Sequence, residues 1–223
     1  MSRPKAWLAW STGKDSAWAL HVLRQAAAVD VVGLLTTVTS EFERVSMHAV
    51  REELLDQQAE AVGLPCRKVH IPWPCSNELY EREMMQVLDA ARAEGVEYVA
   101  FGDLFLADVR RYREKQLAGT GIEPLFPLWL RDTTQLAREM LDAGLRATVT
   151  CVDPRCLDRT FAGRSFDGAF LGALPGGVDP CGERGEFHTF VSAGPMLRRP
   201  VDIVVGDVVE REGFVFADLM PAS

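Results

Sequence analysis

No run of apolar residues in this chain approaches the roughly 20 that a helix needs to cross a bilayer. The opening Met1-Ser2-Arg3-Pro4-Lys5 leads into a strand-like segment, not a signal peptide, so the expectation is a cytoplasmic protein with no membrane partner. Basic residues are in deficit. There are 24 Lys and Arg against 32 Asp and Glu, a net charge of −8 that argues against the broad basic face of a nucleic-acid binder. Cysteine is sparse: Cys66, Cys75, Cys151, Cys156 and Cys181 are irregularly spaced and form no C-x-x-C pair. That pattern suits free thiols in a reducing compartment. A zinc set of Cys151, Cys156, Cys181 and His188 is the lesser alternative. A Walker A loop is also missing. It would need a glycine where Leu8 stands and a Ser or Thr in place of Asp15, directly after Lys14.

What is present is a chain of 223 residues, 48% hydrophobic and 25% charged, long enough to bury a full core. Near its start Ala6-Trp7-Leu8-Ala9-Trp10 breaks into Ser11-Thr12-Gly13-Lys14-Asp15-Ser16, and an Ala/Leu-rich pattern follows. This predicts a buried strand, a tight turn and a helix start. Such a turn aims backbone N–H groups from the positive end of a helix, a natural seat for phosphate. Ser11 and Ser16 add hydroxyls, Lys14 adds a cation, and Asp15 is the candidate magnesium ligand. The plainer account is an ordinary capped turn.

Further along, residues 31–37 form a continuous β-branched run that predicts a parallel strand covered on both faces. A helix is expected from about residue 48 to 62, and a strand over 67–71 stopped by Pro72 and Pro74. A second helix is expected from 76 to 94 with Ser76 as cap, then a fourth strand at 96–101. Strands alternating with helices at this spacing indicate an α/β fold with a parallel sheet and right-handed crossovers. Ligands then bind at the carboxyl ends of the strands, where the loop, Thr36-Thr37 and Gly102-Asp103 all fall. The basic cluster at residues 110–114 is either a solvated helix face or, through Arg111 and Arg113, a partial anion site. Residues 125–129 read as another strand. From about residue 130 the texture shifts, predicting a Rossmann-like domain over 1–130 and a smaller α+β domain with a mixed sheet over 131–223. In the latter, Gly182-Glu183-Arg184-Gly185-Glu186-Phe187-His188-Thr189 packs two carboxylates, a guanidinium and an imidazole between glycines. Glu183 and Glu186 with Asp15 can hold magnesium or act on a proton, and His188 can accept one near neutral pH if its pKa is unperturbed. A solvated polar hairpin is the alternative. The functional reading requires Glu183, Glu186 and His188 to face residues 11–16 across a cleft.

Ser-x-Gly-Lys-Asp-Ser after the first strand resembles the PP-loop of the N-type ATP pyrophosphatases (HUP-type folds). Four further stretches make the chain resemble the diphthine–ammonia ligase group over nearly its whole length. They are Met47-His48-Ala49-Val50, Phe101-Gly102-Asp103, Pro127-Leu128-Trp129 and the run from Asp179 to Phe190. The resemblance implies ATP and Mg²⁺, with the phosphates on Ser11, Thr12, Gly13, Lys14, Asp15 and Ser16 and the adenosine near Leu35, Thr36, Thr37 and His48. It also implies cleavage between the α and β phosphates, an acyl-adenylate, and attack by ammonia to give an amide and AMP. The acceptor in that group is a modified histidine, diphthine, on a translation elongation factor. The sequence reads Glu-Phe-His-Thr where the larger members read Glu-Tyr-Glu-Thr, so His188 stands in an acidic position. It also stops before the extra C-terminal modules of the larger members. Acceptor identity and oligomeric state, a homo-oligomer included, stay open. The rivals are a PP-loop enzyme acting on another acceptor, a tRNA-modifying PP-loop enzyme, and a non-catalytic nucleotide sensor.

Overall fold

The computed structural model describes residues 2–41, 44–45 and 50–222, so His48 and the rest of 46–49 lie outside the described residues. Five parallel strands form the first sheet in the order β4-β2-β1-β5-β6: β1 (Lys5–Ala9), β2 (Asp30–Thr39), β4 (Cys66–Ile71), β5 (Val96–Ala100) and β6 (Glu123–Leu125). A two-residue strand, β3 (Arg44–Val45), pairs antiparallel with the far end of β2. The chain runs outward from β1 through β2 to β4, then returns to the other side of β1 as β5. The order therefore reverses at β1, and the carboxyl end of β1 is the switch point at which open α/β sheets bind ligands.

Helices cover both faces of this sheet. On one face α1 (Lys14–Ala26) and α2 (Glu52–Val62) bury Trp18, Leu20, Leu54 and Leu55. On the other, α3 (Asn77–Ala93) and α4 (Ala107–Leu117) close over Trp7, Val69, Val99 and Phe101, with Leu88 and Ala91 of α3 in the contact. Ser76 caps α3 by accepting from the Leu79 amide, as the sequence predicts. α2 begins at Glu52, later than the periodicity suggested. Its first turn carries Glu52 and Glu53, where negative charge favours a helix start.

The segment 125–129 is not a strand. Pairing stops at Leu125, because Pro127 lacks the ladder donor and Leu130 turns left-handed at φ 59°. The Leu130 amide donates to the Leu104 carbonyl instead. Helix α5 (Thr133–Asp142), capped by Asp132, leads into the second sheet. That sheet is β7 (Arg146–Val152), β8 (Phe187–Ala193), β9 (Ile203–Arg211) and β10 (Phe214–Pro221), in the order β8-β7-β10-β9. Every pairing in it is antiparallel, not mixed as expected. β9 and β10 close by a two-residue turn, Glu212-Gly213, with both residues at positive φ, the geometry that forces an antiparallel hairpin. A short helix, α6 (Gly168–Ala173), lies in the β7–β8 connection. Leu8, Leu20, Val149, Phe187 and Val191 belong to one apolar core, so the second sheet packs against the α1 side of the first.

Candidate active site

The loop after β1 is shaped by contacts that hide behind it. Thr12 takes φ 70°, a left-handed conformation costly for a β-branched residue, and Gly13 serves as the N-cap of α1 without a side chain to cap it. The cap comes from β8, where Thr189 Oγ1 accepts from the Lys14 amide at 3.1 Å. Ser11 and Ser16 are linked through their hydroxyls at 3.2 Å, and Ser16 Oγ also donates to the Gly13 carbonyl. Gly102, at the end of β5, lies directly against the first turn of α1. A Cβ there would stand 2.8 Å from the Asp15 carbonyl carbon and 2.9 Å from the Ser16 nitrogen.

Lys14 is turned inward. Its Nζ donates to both Asp15 carboxylate oxygens (2.8 and 3.0 Å) and to the Cys181 carbonyl, and it lies 5.3 Å from the centre of the Phe187 ring. Burial is the largest single influence and would lower its pKa, but the surrounding negative groups, Asp15 foremost, together outweigh it, so the ammonium is held above its ordinary value and charged. Lys14 thus joins residues 11–16 to the 179–189 loop.

The two glutamates of that loop are placed differently. Glu183 points into the cleft, with one oxygen accepting from the Leu104 and Phe105 amides (2.7 and 3.3 Å). Burial, helped by the neighbouring Asp15 and Asp103 carboxylates, pushes it up to about 7 against the pull of those amides. Glu186 does not reach the cleft as the functional reading required. It is 4% exposed and accepts from the Asp179 and Arg184 amides, tying its own loop together. His188 lines the cleft, but burial and the Lys14 charge push it down to about 4. It is neutral at pH 7, so the expectation of a proton acceptor near neutrality does not hold for it. Asp103 faces Arg113, 3.7 Å away, and burial raises it, with Asp15 adding to the effect.

These groups surround a cleft of about 980 Å³. Ser11, Lys14, Asp15, Ser16, Leu35, Thr36, Thr37, Gly102, Asp103, Glu183 and His188 line it, bringing together stretches far apart in the chain. Thr12 and Gly13 are buried behind its surface. The Thr36 hydroxyl is spent on the Trp10 carbonyl at 2.7 Å, which leaves Thr37 as the more open of the pair. Arg113 lines the cleft, while Arg111 is an exposed residue of α4. An apolar wall of Trp73, Tyr80, Met84, Met85 and Tyr112 completes it, and the sequence reading missed this wall. Trp73, Met85 and Tyr112 each expose more than 40% of their surface, and they come from a Pro-flanked loop and the faces of two helices, so no local pattern groups them. Gln58 and Thr189 were also missed. Gln58 looks like an ordinary helix residue, and Thr189 sits inside the noted motif but was not singled out.

Among the described residues no group of three or more His, Cys, Asp or Glu is placed to hold a metal, which removes the zinc set. Magnesium differs, because it keeps several waters and needs only one or two carboxylates beside substrate phosphates. Asp15 and Asp103 fit that demand. The Asp15 charge raises Asp103, and Asp103 Oδ2 is buried with no hydrogen-bond partner among the described residues, its ion pair with Arg113 standing at 3.7 Å. Burial raises the Cys151 thiol to about 12 and pushes Cys181 up as well, so neither is a ready thiolate. No helix of the described residues is long and apolar enough to cross a membrane.

Sheet order and cleft together define a Rossmann-like α/β protein with a phosphate-type loop at its switch point and a second sheet supplying the opposite wall. Comparison with known proteins gives the family. A family model of the diphthamide synthase N-terminal domain matches residues 4–124, and one of the diphthamide synthase C-terminal domain matches residues 132–218. The chain belongs to the diphthamide synthase family. A diphthine–ammonia ligase of Danio rerio is 29% identical to it over 199 residues, 80% of this chain and 76% of that protein. One of Homo sapiens is 27% identical over 198 residues, covering 80% and 73%. One of Bos taurus is 25% identical over 232 residues, covering 93% and 85%.

Proposed function

We propose that this chain is an ATP-dependent, AMP-forming amide ligase of the diphthine–ammonia ligase type. The observation that carries the reading is the convergence of Ser11, Lys14, Asp15, Ser16, Asp103 and Glu183 in one cleft, within a family whose relatives bear that name. In this reading the triphosphate lies on residues 11–16 at the start of α1, and the adenosine lies toward Leu35 and Thr37. Asp15, with Asp103, would hold magnesium, which would supply charge neutralisation to the phosphates. Lys14 keeps the Asp15 carboxylate aimed and adds positive potential at the loop.

An oxygen of the acceptor carboxylate forms a bond to the α-phosphorus as the α–β bridging bond breaks and pyrophosphate leaves. Ammonia then forms a C–N bond at the acyl carbon, the C–O bond to AMP breaks, and the surplus proton on nitrogen passes to a base. Glu183 is that base, because it faces the cleft and its carboxyl is tuned near neutrality, where proton exchange is most effective. Neutral His188 orients the acceptor by hydrogen bonding. The acceptor is a carboxylate on a modified histidine of a protein such as a translation elongation factor, and the apolar wall gives its side chain a dry seat. Supplying ¹⁵N-ammonium, ATP, Mg²⁺ and a diphthine-bearing elongation factor tests this reading. ATP-dependent entry of ¹⁵N into the acceptor is expected. ATP turnover with no nitrogen transferred would point to another acceptor.

A further inference from the structure

Gln58 of α2 lies at 0% exposure in the middle of the core, and all of its hydrogen-bonding capacity is aimed at the loop and its support. Its Oε1 accepts from the Trp10 indole at 2.7 Å, the residue between β1 and the loop. Its Nε2 donates to the Thr12 carbonyl at 3.1 Å and to the Val191 carbonyl in β8 at 2.6 Å. The Thr12 carbonyl also accepts from the Val191 amide at 3.0 Å. One amide side chain therefore joins three elements at the residue whose φ of 70° is least suited to threonine. The indole donor also fixes which way the amide faces. With Oε1 engaged by Trp10, the NH₂ group has to meet the two carbonyls.

We propose that Gln58 is a positioning residue for the phosphate loop, holding Thr12 left-handed so that the start of α1 faces the cleft. The inference rests on the proposed nucleotide site for its functional consequence, although the geometry it explains does not. A left-handed threonine persists only where its surroundings over-determine it, and without the amide the Thr12 carbonyl keeps, among the described residues, the Val191 amide as its one hydrogen-bond donor. The strain then relaxes and the loop loses its aim. Glycine at position 12 takes the same φ without strain, so it should make Gln58 dispensable for loop shape.

The test compares the full chain with Gln58→Met, Thr12→Gly, their double variant, and Trp10→Phe alone and with Thr12→Gly, which leaves Gln58 in place but removes the indole donor that orients its amide if Gln58→Met does not fold. Each is measured for ATP affinity with Mg²⁺ and, without nucleotide, for amide hydrogen exchange. Gln58→Met should weaken ATP about tenfold or more, the scale of a lost buried amide contact, and Trp10→Phe should weaken it less. Exchange should rise at residues 12–16 and 191 while β5 stays protected. Adding Thr12→Gly to either variant should bring affinity back to within about threefold of the wild type, a recovery that a merely structural role for Gln58 does not produce. Unchanged affinity and exchange in Gln58→Met and in Trp10→Phe, or a loss that Thr12→Gly leaves uncorrected, would overturn the inference. A wild-type protein that bound no ATP would sink the ligase reading alone, because the exchange experiment contains no nucleotide.

Discussion

Glu183 and His188 exchange the roles that their free pKa values suggest. A carboxyl is ordinarily ionised and an imidazole ordinarily half-titrated near neutrality. Here burial raises Glu183 to about 7 and lowers His188 to about 4, so the carboxyl titrates in the working range and the imidazole does not. At a fixed concentration of free ammonia, amide formation should therefore rise along a limb centred near pH 7. Glu183→Gln should remove that limb and cost about a hundredfold or more in rate, whereas His188→Gln should keep it. The sign for stability is the reverse. A carboxyl whose folded pKa lies above its unfolded value favours the fold while protonated, and that contribution is lost as pH rises from about 4.5 to 7. Glu183→Gln should thus melt higher than wild type at pH 8 and close to it at pH 5, in thermal unfolding followed at both values. A melting difference independent of pH would show that Glu183 is not held protonated by its site. The residue types were legible in the sequence, but their protonation was not. It depends on burial first, then on Lys14 for His188 and on Asp15, Asp103 and two backbone amides for Glu183, all brought up from other parts of the fold.

Among the elements, α1 is the best anticipated and the least self-sufficient. Its start at Lys14, its apolar faces and the turn before it all follow from sequence pattern, yet Gly13 brings no cap and Thr189 supplies one from another sheet. Long-range capping of that kind leaves no local signal, whereas Ser76 before α3 was readable because it serves its own helix. Gly102 was anticipated as part of the site. The structure adds a packing reason, since β5 ends against the backbone of the first turn of α1. Gly102→Ala should cost about 1–3 kcal/mol, as overpacking against backbone does, and should weaken ATP binding because the helix start has to move. Unfolding midpoints in urea together with an ATP titration check it. A variant as stable as the wild type with full affinity would show that the contact yields freely.

At the scale of the molecule, the cleft belongs to both sheets. Residues 11–16 and 102–103 come from the carboxyl ends of parallel strands, and residues 182–189 come from a loop that leads into an antiparallel strand. Parallel order was legible because strands and helices alternate at regular spacing. The antiparallel second sheet was not, because β7 and β8 are joined through a long irregular segment whose pairing no periodicity reveals. The apolar wall between α3 and α4 was hidden for a different reason, since Tyr112 sits inside a basic cluster that reads as a solvated helix face and only the packing shows a cleft there. The account stands on one chemical claim, that this cleft breaks ATP between its α and β phosphates and uses the adenylate to make an amide. The direct measurement is product analysis with ATP labelled at the α phosphate, in the presence of ammonia, Mg²⁺ and the acceptor protein. The account predicts labelled AMP, unlabelled pyrophosphate and amide in equal amounts. Labelled ADP with orthophosphate as the main products would contradict it.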